Sequence, residues 1–243
     1  MKTTNDINKS LEYRRYISII EEILFQVTAQ NLGFYLNPET MHLNLVQNGQ
    51  RMGLDTLPDG VKSIVSWVGD LIMRMSQMQW ADDLDIFDRS FVLLLDEIEV
   101  HLHPAWQRKI LPVIQKLFKN AQIFISTHSP FVVGSVDGAW IYKFKKYGTS
   151  VILDGLPTLS EDAKSVRRIL DEVFDVKQQY GVSVEEDLQK FREIRDRILK
   201  GESYNIQEFR DLTNSLASQS TELSHLLGSE INQLQRILKN EVF

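Results

Sequence analysis

The sequence contains no cysteine, which excludes disulfide frameworks and thiolate metal sites. It also has no long hydrophobic run. The most extended one, Phe91 to Leu95, is far shorter than the roughly 18 residues that a membrane-spanning helix needs. The N-terminus, MKTTNDINKS, lacks the apolar stretch of a secretory signal. We therefore expect a soluble, non-secreted protein of the cytoplasm with no membrane partner.

Positive charge is also scarce, because 27 Lys and Arg residues face 33 Asp and Glu residues, for a formal net charge of -6. This balance argues against a protein that coats duplex nucleic acid. Lys143, Lys145 and Lys146 form a local basic cluster. The 243 residues are 43% hydrophobic, which is enough for a sizeable core and excludes intrinsic disorder.

Apolar spacing predicts helices over Leu11 to Val27 and over Ile64 to Met78. Between them, alternation on both sides of Asn48-Gly49 predicts a two-stranded hairpin, since Asn-Gly tolerates the positive φ angles of a tight turn. The acidic residues 80–88 are expected to form a loop.

The run Phe91 to Leu95 predicts a strand buried on both faces of a parallel sheet. A helix from Pro104 to about Lys119 and a second strand over Gln122 to Ser126 then imply a right-handed parallel crossover. Two edge strands are expected over Ala139 to Phe144 and Ser150 to Leu153. Their predicted connection contains Lys145, Lys146 and Gly148.

No strand pattern follows Leu159, and breaks near Tyr180-Gly181 and Gly201 separate helical segments. Two apolar stripes are expected there: Leu188, Phe191, Ile194 and Ile198 form one, and Leu216, Leu223, Leu227, Leu234 and Ile237 form the other. The predicted fold is therefore α/β, with a sheet and crossover helices over residues 1–157 and an all-α arm or bundle over residues 158–243.

Asp96 and Glu97 directly follow the first parallel strand, where ligands gather in such sheets. Phosphoryl transfer requires this pair of groups: one carboxylate for Mg²⁺ and one to orient the attacking water. A strand that ends in two acids can also be an ordinary solvated strand end. The segment Thr127 to Pro130 ends the next strand at the same edge.

These residues resemble the ABC-type ATPases of the SMC, RecF and OLD group, in particular the AAA-like branch found in bacterial defence systems. Their Walker B segment has the form DEPExHLHP, and here it is DEIEVHLHP, with Ile98 in place of the proline. The resemblance implies Asp96 as the metal ligand, Glu97 as the catalytic base and His128, in STHSP, as the switch histidine that contacts the γ-phosphate. The implied D-loop residues are Glu99, His101, Leu102, His103 and Pro104.

The family's signature motif, an LSxGxxS relative, is matched by LPDGVKS over Leu57 to Ser63, with Pro58 in place of a serine. Gly60 permits close backbone approach, Lys62 supplies a cation, and a helix that starts near Ser63 would direct its dipole at an anion. In isolation, the same tripeptide Pro-Asp-Gly also suits a plain turn before a helix. The resemblance implies nucleotide contacts across a dimer from Leu57, Asp59, Gly60, Lys62 and Ser63.

A phosphate-binding loop of the form G-x-x-x-x-G-K-[ST] does not occur in the sequence. In the family it belongs to an N-terminal lobe, so the chain resembles the C-terminal half of such an ATPase, and we expect weak or no ATP binding by the chain alone. Three explanations stay open: a separate polypeptide supplies the lobe, the chain is a fragment of a longer product, or the chemistry has been abandoned.

The resemblance implies an ATPase subunit or half-ATPase that uses ATP and Mg²⁺ in a head-to-tail dimer or higher homo-oligomer. Its expected partners are a lobe or chain with the Walker A element and a nuclease that it controls in antiphage defence. DNA or RNA would be handled through the assembly. The alternative is a non-catalytic scaffold derived from a degenerate ATPase. A third interpretation, a zinc hydrolase, would use His101 and His103 with His128 or Glu99.

Overall fold

Helix α1 (Thr4–Thr28) opens the fold and packs against the helices that follow it. It contains the predicted first helix and buries one stripe of its surface, namely Tyr16, Ile23, Leu24 and Val27. The computed structural model describes residues 4–37, 39–40, 42–161 and 164–238. Among these residues, no helix combines the length and the apolarity required to cross a membrane.

An antiparallel sheet of three strands follows α1, with the order β1 (Gly33–Leu36), β2 (Leu43–Gln47) and β3 (Gln50–Gly53). The turn between β2 and β3 is Asn48-Gly49, and both residues have positive φ, 50° and 79°. The predicted hairpin is therefore confirmed. Strand β1 had not been predicted.

The predicted parallel crossover is confirmed. Strands β4 (Val92–Asp96) and β5 (Gln122–Ser126) pair in parallel, and helix α3 (Pro104–Leu117) connects them. Helix α2 (Asp59–Gln77) precedes them and packs on α1. Because Asp96 lies opposite Ser126 in the register, the carboxyl ends of the two strands meet at one edge.

The expectation that β4 is buried on both faces was wrong. Leu93 is 8% exposed, whereas its neighbour Leu94 is 74% exposed and Phe124 on β5 is 51% exposed. Successive strand residues point to opposite faces, and the described residues cover only the face that packs on the core. The other face leaves apolar side chains in solvent, and we call it the open sheet face: Val92, Leu94 and Phe124.

The short strands after helix α4 (Pro130–Val133) pair differently from the prediction. Strand β6 (Trp140–Ile141) pairs with β9 (Thr158–Leu159), while β7 (Phe144–Tyr147) pairs with β8 (Ser150–Leu153). Lys145 and Lys146 therefore lie within a strand, and the connection is the turn at Gly148-Thr149. Among the described residues these pairs are separate from the β4–β5 sheet.

Helix α5 (Val166–Glu172) packs against α4, and the chain divides into two compact units between Phe174 and Asp175. The second unit contains three helices, α6 (Val182–Lys200), α7 (Ile206–Gln219) and α8 (Thr221–Leu238). The mixed α/β fold with a helical C-terminal region is thus confirmed. The assignment of residues 1–157 and 158–243 as ATPase lobe and helical arm stays a prediction.

In the helical unit, the breaks near Gly181 and Gly201 are confirmed, and Gly201 ends α6 in the left-handed conformation at φ 72°. The stripe through Leu188, Phe191, Ile194 and Ile198 packs in the core. The second predicted stripe is divided between two helices: Leu216 lies on α7 and the other members lie on α8, and Leu216, Leu223, Leu227 and Leu234 are buried in the same core. Its last member, Ile237, is 58% exposed.

Candidate functional site

The ends of β4 and β5 are joined by side-chain and backbone hydrogen bonds. Ser126 Oγ donates to Asp96 Oδ1. The Glu97 amide donates to the Ser126 carbonyl at 3.1 Å and lies 3.2 Å from Ser126 Oγ. The Asp96-Glu97 pair and the start of the STHSP segment are therefore held together, and both carboxylates remain exposed to solvent.

The loop after β4 combines buried anchors with strained backbone. Ile98 and Leu102 are 6% and 5% exposed, so they fix the loop to the core. Glu97 and His101 have positive φ, 46° and 65°, which is uncommon for residues other than glycine. Such conformations persist only where neighbouring contacts enforce them, and they cluster at functional sites. Ile98, which replaces the family's proline, is thus a core anchor.

His103 caps α3. Its Nδ1 accepts a hydrogen bond from the Ala105 amide at 3.2 Å, and Pro104 occupies the first turn, where its missing amide costs nothing. Within the described part of the chain, no group of three or more His, Cys, Asp or Glu side chains is placed to hold a metal ion. The zinc-hydrolase interpretation therefore has no structural support.

His128 follows β5 and presents an exposed side chain at the same edge. Its backbone amide donates to Glu99 Oε1 at 2.6 Å. The next residue, Ser129, is buried, and its Oγ accepts from the Phe131 amide at 3.1 Å at the start of α4. Ser129 Oγ also donates to Gln107 Oε1 at 2.6 Å. The switch-histidine segment is thereby tied to α3 and to the loop after β4.

The segment Leu57 to Ser63 lies at the start of α2, and that helix begins at Asp59. The expectation of a start near Ser63 was wrong, because Pro58 already supplies the cap: its carbonyl accepts from the amides of Val61 and Lys62. Lys62 Nζ lies 3.3 Å from Asp59 Oδ1, in an exposed pair one turn apart. Leu57 is buried in the core, and Ser63 is half-buried.

Gly60 brings α2 against the loop after β4. A Cβ at this position would lie 2.7 Å from the His101 carbonyl oxygen and 3.0 Å from the Trp106 ring, closer than real Cβ atoms approach backbone. Close backbone approach at Gly60 was predicted toward a nucleotide. In this chain the glycine accommodates the D-loop, so the segment that resembles the signature motif and the D-loop are in direct contact.

We expect Gly60→Ala to destabilise the first unit by about 1–3 kcal/mol, because the backbone of the D-loop must shift to admit the methyl group. Gly69 on the same helix is the matched control. A Cβ there meets nothing within 4 Å, so Gly69→Ala should be neutral or stabilising by up to about 1 kcal/mol. Urea unfolding of the two variants measures both changes. Equal stability of the two variants would contradict the contact.

The structure brings together the strand-end carboxylates, the D-loop, the His128 segment and the start of α2. The catalytic and binding roles of the individual residues stay predictions. Sequence reasoning missed the residues that connect these segments: Ser126, Gln107 and Ser129. A Ser-Pro pair at a helix start is a known capping signal and could have identified Ser129. No local pattern identifies Gln107.

Part of the first unit matches a known protein family. A family described as "AAA domain, putative AbiEii toxin, Type IV TA system" matches residues 4–134, more than half of the chain. The retron Ec83 probable ATPase of Escherichia coli is 29% identical over 126 residues, which cover 52% of this chain and 23% of that protein. The retron Vc95 probable ATPase of Vibrio cholerae is 32% identical over 115 residues, 44% of this chain and 22% of that protein.

A Septu protein, PtuA of Bacillus mycoides, is 34% identical over 86 residues, 35% of this chain and 11% of that protein. The chain thus matches less than a quarter of the length of each of these relatives. A solved SMC ATPase, studied for its ATP-driven dimerization and DNA-stimulated activation, superposes with a TM-score of 0.48 at 14% identity. That likeness covers 71% of this chain and 99% of the other.

Proposed function

The chain belongs to this AAA-domain family, and from that membership we propose that it is the Walker B and signature half of an ATPase that acts in a bacterial defence system. The names of the retron and Septu relatives support the defence setting. The observation that carries the proposal is the shared strand edge, where Asp96, Glu97 and the His128 segment are held together by Ser126.

At this edge, Glu97 is the proton acceptor. Its exposed carboxylate would take a proton from the attacking water while the water oxygen bonds to the γ-phosphorus of ATP and the bond from that phosphorus to the leaving ADP breaks. His128 would donate a hydrogen bond to the transferred phosphoryl group and stabilise its developing charge. The positive φ of Glu97 turns the chain directly after the strand, so its side chain is presented at the edge rather than in the sheet.

Mg²⁺ would be held by Asp96 together with phosphate oxygens, and it would supply charge neutralisation there. The donor set fits this ion, because Mg²⁺ in nucleotide sites is usually bound by one or two carboxylates plus substrate phosphates. The Ser126 hydroxyl, which donates to one carboxylate oxygen, orients Asp96.

A second lobe with the Walker A element is the proposed partner of the open sheet face. A lobe that packs on this face would bury Leu94, which is 74% exposed, and Phe124, which is 51% exposed. Covering such side chains contributes about 25 cal/mol for each Å² of apolar surface removed from water. The same lobe would supply the phosphate-binding loop that this sequence lacks.

The segment Leu57 to Ser63 would act across a head-to-tail dimer, with its helix start directed at the nucleotide held by the other subunit. A nuclease is the proposed downstream partner, and DNA or RNA would be contacted through the assembly. These partners come from the family resemblance and from the defence setting of the relatives.

The experiment that tests this proposal is steady-state Mg-ATP hydrolysis by the chain alone and by the chain with a separately expressed Walker A lobe. That lobe is taken from the upstream reading frame or from a full-length family member. We expect turnover only in the mixture, and Asp96→Asn in this chain should reduce it at least about tenfold, since the metal loses a charged ligand. Asp137→Asn, at an exposed position outside the site, is the control. Turnover that Asp96→Asn leaves unchanged would overturn the proposal.

A non-catalytic scaffold is the second candidate, favoured by the lack of a G-x-x-x-x-G-K-[ST] element in the 243 residues. The neighbouring coding sequence distinguishes the two. An upstream frame with this element supports the half-ATPase, and a neighbourhood without one supports the scaffold.

A further inference from the structure

We propose that Glu99 is a positioning residue that fastens the D-loop to the switch-histidine segment, so that residues 97–104 and 127–129 move as one body. The mechanistic meaning of this coupling rests on the proposed ATPase function. The coupling itself is a property of this chain, and it can be measured without nucleotide.

The direct connection is one hydrogen bond between the two segments. Glu99 Oε1 accepts from the His128 amide at 2.6 Å, across 29 positions of sequence. Hydrogen bonds to a charged acceptor are stronger than neutral ones. Glu99 Oε2 is buried and has no hydrogen-bond partner among the described residues. Within the part of the chain that the structure describes, the His128 peptide is therefore the hydrogen-bond partner that holds this carboxylate.

Gln107 on α3 makes a second, parallel connection. Its Nε2 donates to the Leu102 carbonyl in the D-loop at 2.8 Å. Its Oε1 accepts from Ser129 Oγ, at 2.6 Å, on the other segment. One side chain thus contacts both segments, and Glu99 and Gln107 together close a ring through the D-loop, α3 and the end of β5.

The start of α2 also contacts the D-loop, at Gly60. Gly60 lies against the His101 carbonyl, so a displacement of the D-loop must also displace the segment that resembles the signature motif. A change at His128 would therefore reach the start of α2 through Glu99 and the D-loop. In the proposed dimer this links the state of a subunit's own nucleotide to the surface that it offers to its neighbour.

The test is residue-resolved amide hydrogen exchange by NMR on the isolated chain, with Glu99→Ala and Glu99→Gln. The Ala variant should exchange the His128 amide at least about tenfold faster, and the D-loop amides of Val100 and Leu102 should also speed up. Glutamine keeps a carbonyl acceptor at the same reach but loses the charge, so Glu99→Gln should exchange the His128 amide faster than the parent and at least about threefold more slowly than Glu99→Ala. If Glu99→Ala does not fold, Glu99→Asp replaces it, because a side chain shorter by one methylene also loses the contact.

Glu185→Ala is the matched control. Its carboxylate accepts from the Tyr180 amide at 2.9 Å and the Gln179 amide at 2.6 Å in the helical unit, and these bonds lower its pKa. Removal of the Glu185 carboxylate should leave the amide exchange rates of residues 97–104 and 127–129 unchanged.

Faster exchange in only one segment, or unchanged exchange in both, would overturn the coupling. A Gln variant as fast as the Ala variant would overturn the role of the acceptor. If the assembly does not hydrolyse ATP, the proposed function is wrong, but the exchange rates of the isolated chain are unaffected. Failure of the proposed function and failure of the coupling are therefore distinguishable.

Discussion

Glu97→Gln is expected to lower ATP hydrolysis by the complete assembly about 100-fold or more, while Mg-ATP binding stays within about twofold of the parent. Glutamine has the same shape but cannot accept the proton from water at neutral pH, and general bases of this kind contribute about 10²–10⁴-fold to rate. The Glu97 backbone bonds to Ser126 do not involve the side chain, so the loop should keep its position. Single-turnover hydrolysis and nucleotide titration measure the two quantities separately.

Glu202→Gln, an exposed position in the helical unit, is the control for this experiment and should change neither quantity. An unchanged turnover rate for Glu97→Gln would remove Glu97 from the mechanism. Loss of binding together with loss of turnover would assign the residue to nucleotide retention instead.

Leu94→Glu is expected to weaken association with the Walker A lobe at least about 100-fold without unfolding the chain. The side chain is 74% exposed, so the charge costs little in the chain alone, where surface substitutions usually change stability by less than about 0.5 kcal/mol. In the complex, the same carboxylate would be buried without a partner, which costs several kcal/mol. Thermal unfolding of the chain and calorimetric titration with the lobe provide the two measurements.

Val182→Glu introduces the same charge at a residue that is 80% exposed in the helical unit, and it should leave the association unchanged. Leu93→Glu, on the covered face of the same strand, should unfold the first unit. If Leu94→Glu binds the lobe as tightly as the parent does, the lobe does not occupy the open sheet face.

The strand–helix–strand unit could be predicted from sequence because its signals are local. An apolar run ends at Asp96, a proline fits the start of α3, and a second strand follows at a standard spacing. The same run gave a wrong prediction of burial. An apolar run predicts a strand that is covered on both faces, but no residue in the described ranges covers Leu94.

The local sequence pattern also failed to predict how the short strands pair and where α2 begins. Tyr147 and Ser150 pair around Gly148-Thr149 because that turn accepts a positive φ at the glycine, a choice that alternation alone does not reveal. Helix α2 begins at Asp59, where the Pro58 carbonyl accepts hydrogen bonds from the amides of Val61 and Lys62. The first turn of α2 contains a single apolar side chain, the buried Val61, which is too little for a helical period to show in the sequence.

At the candidate site, the ligand contacts that the sequence predicts stay predictions, and sequence reasoning missed the residues that connect the site's segments. Gln107 and Ser129 are ordinary polar residues in the sequence, and only the folded chain brings them to 2.6 Å from one another. Gly60 was identified for its missing side chain, and its contact with a nucleotide stays a prediction. In the structure its neighbour is the His101 carbonyl.

The central claim is that the nucleotide site is completed by a Walker A lobe seated on this chain. Titration calorimetry with Mg-ATP tests it most directly, first on the 243-residue chain and then on the chain saturated with the lobe, with His128→Ala as the control. We predict no detectable heat up to millimolar nucleotide for the chain alone, and binding in the mixture that is stronger than that of the lobe by itself and weakened by His128→Ala. Micromolar binding by the chain alone that His128→Ala abolishes would contradict the claim.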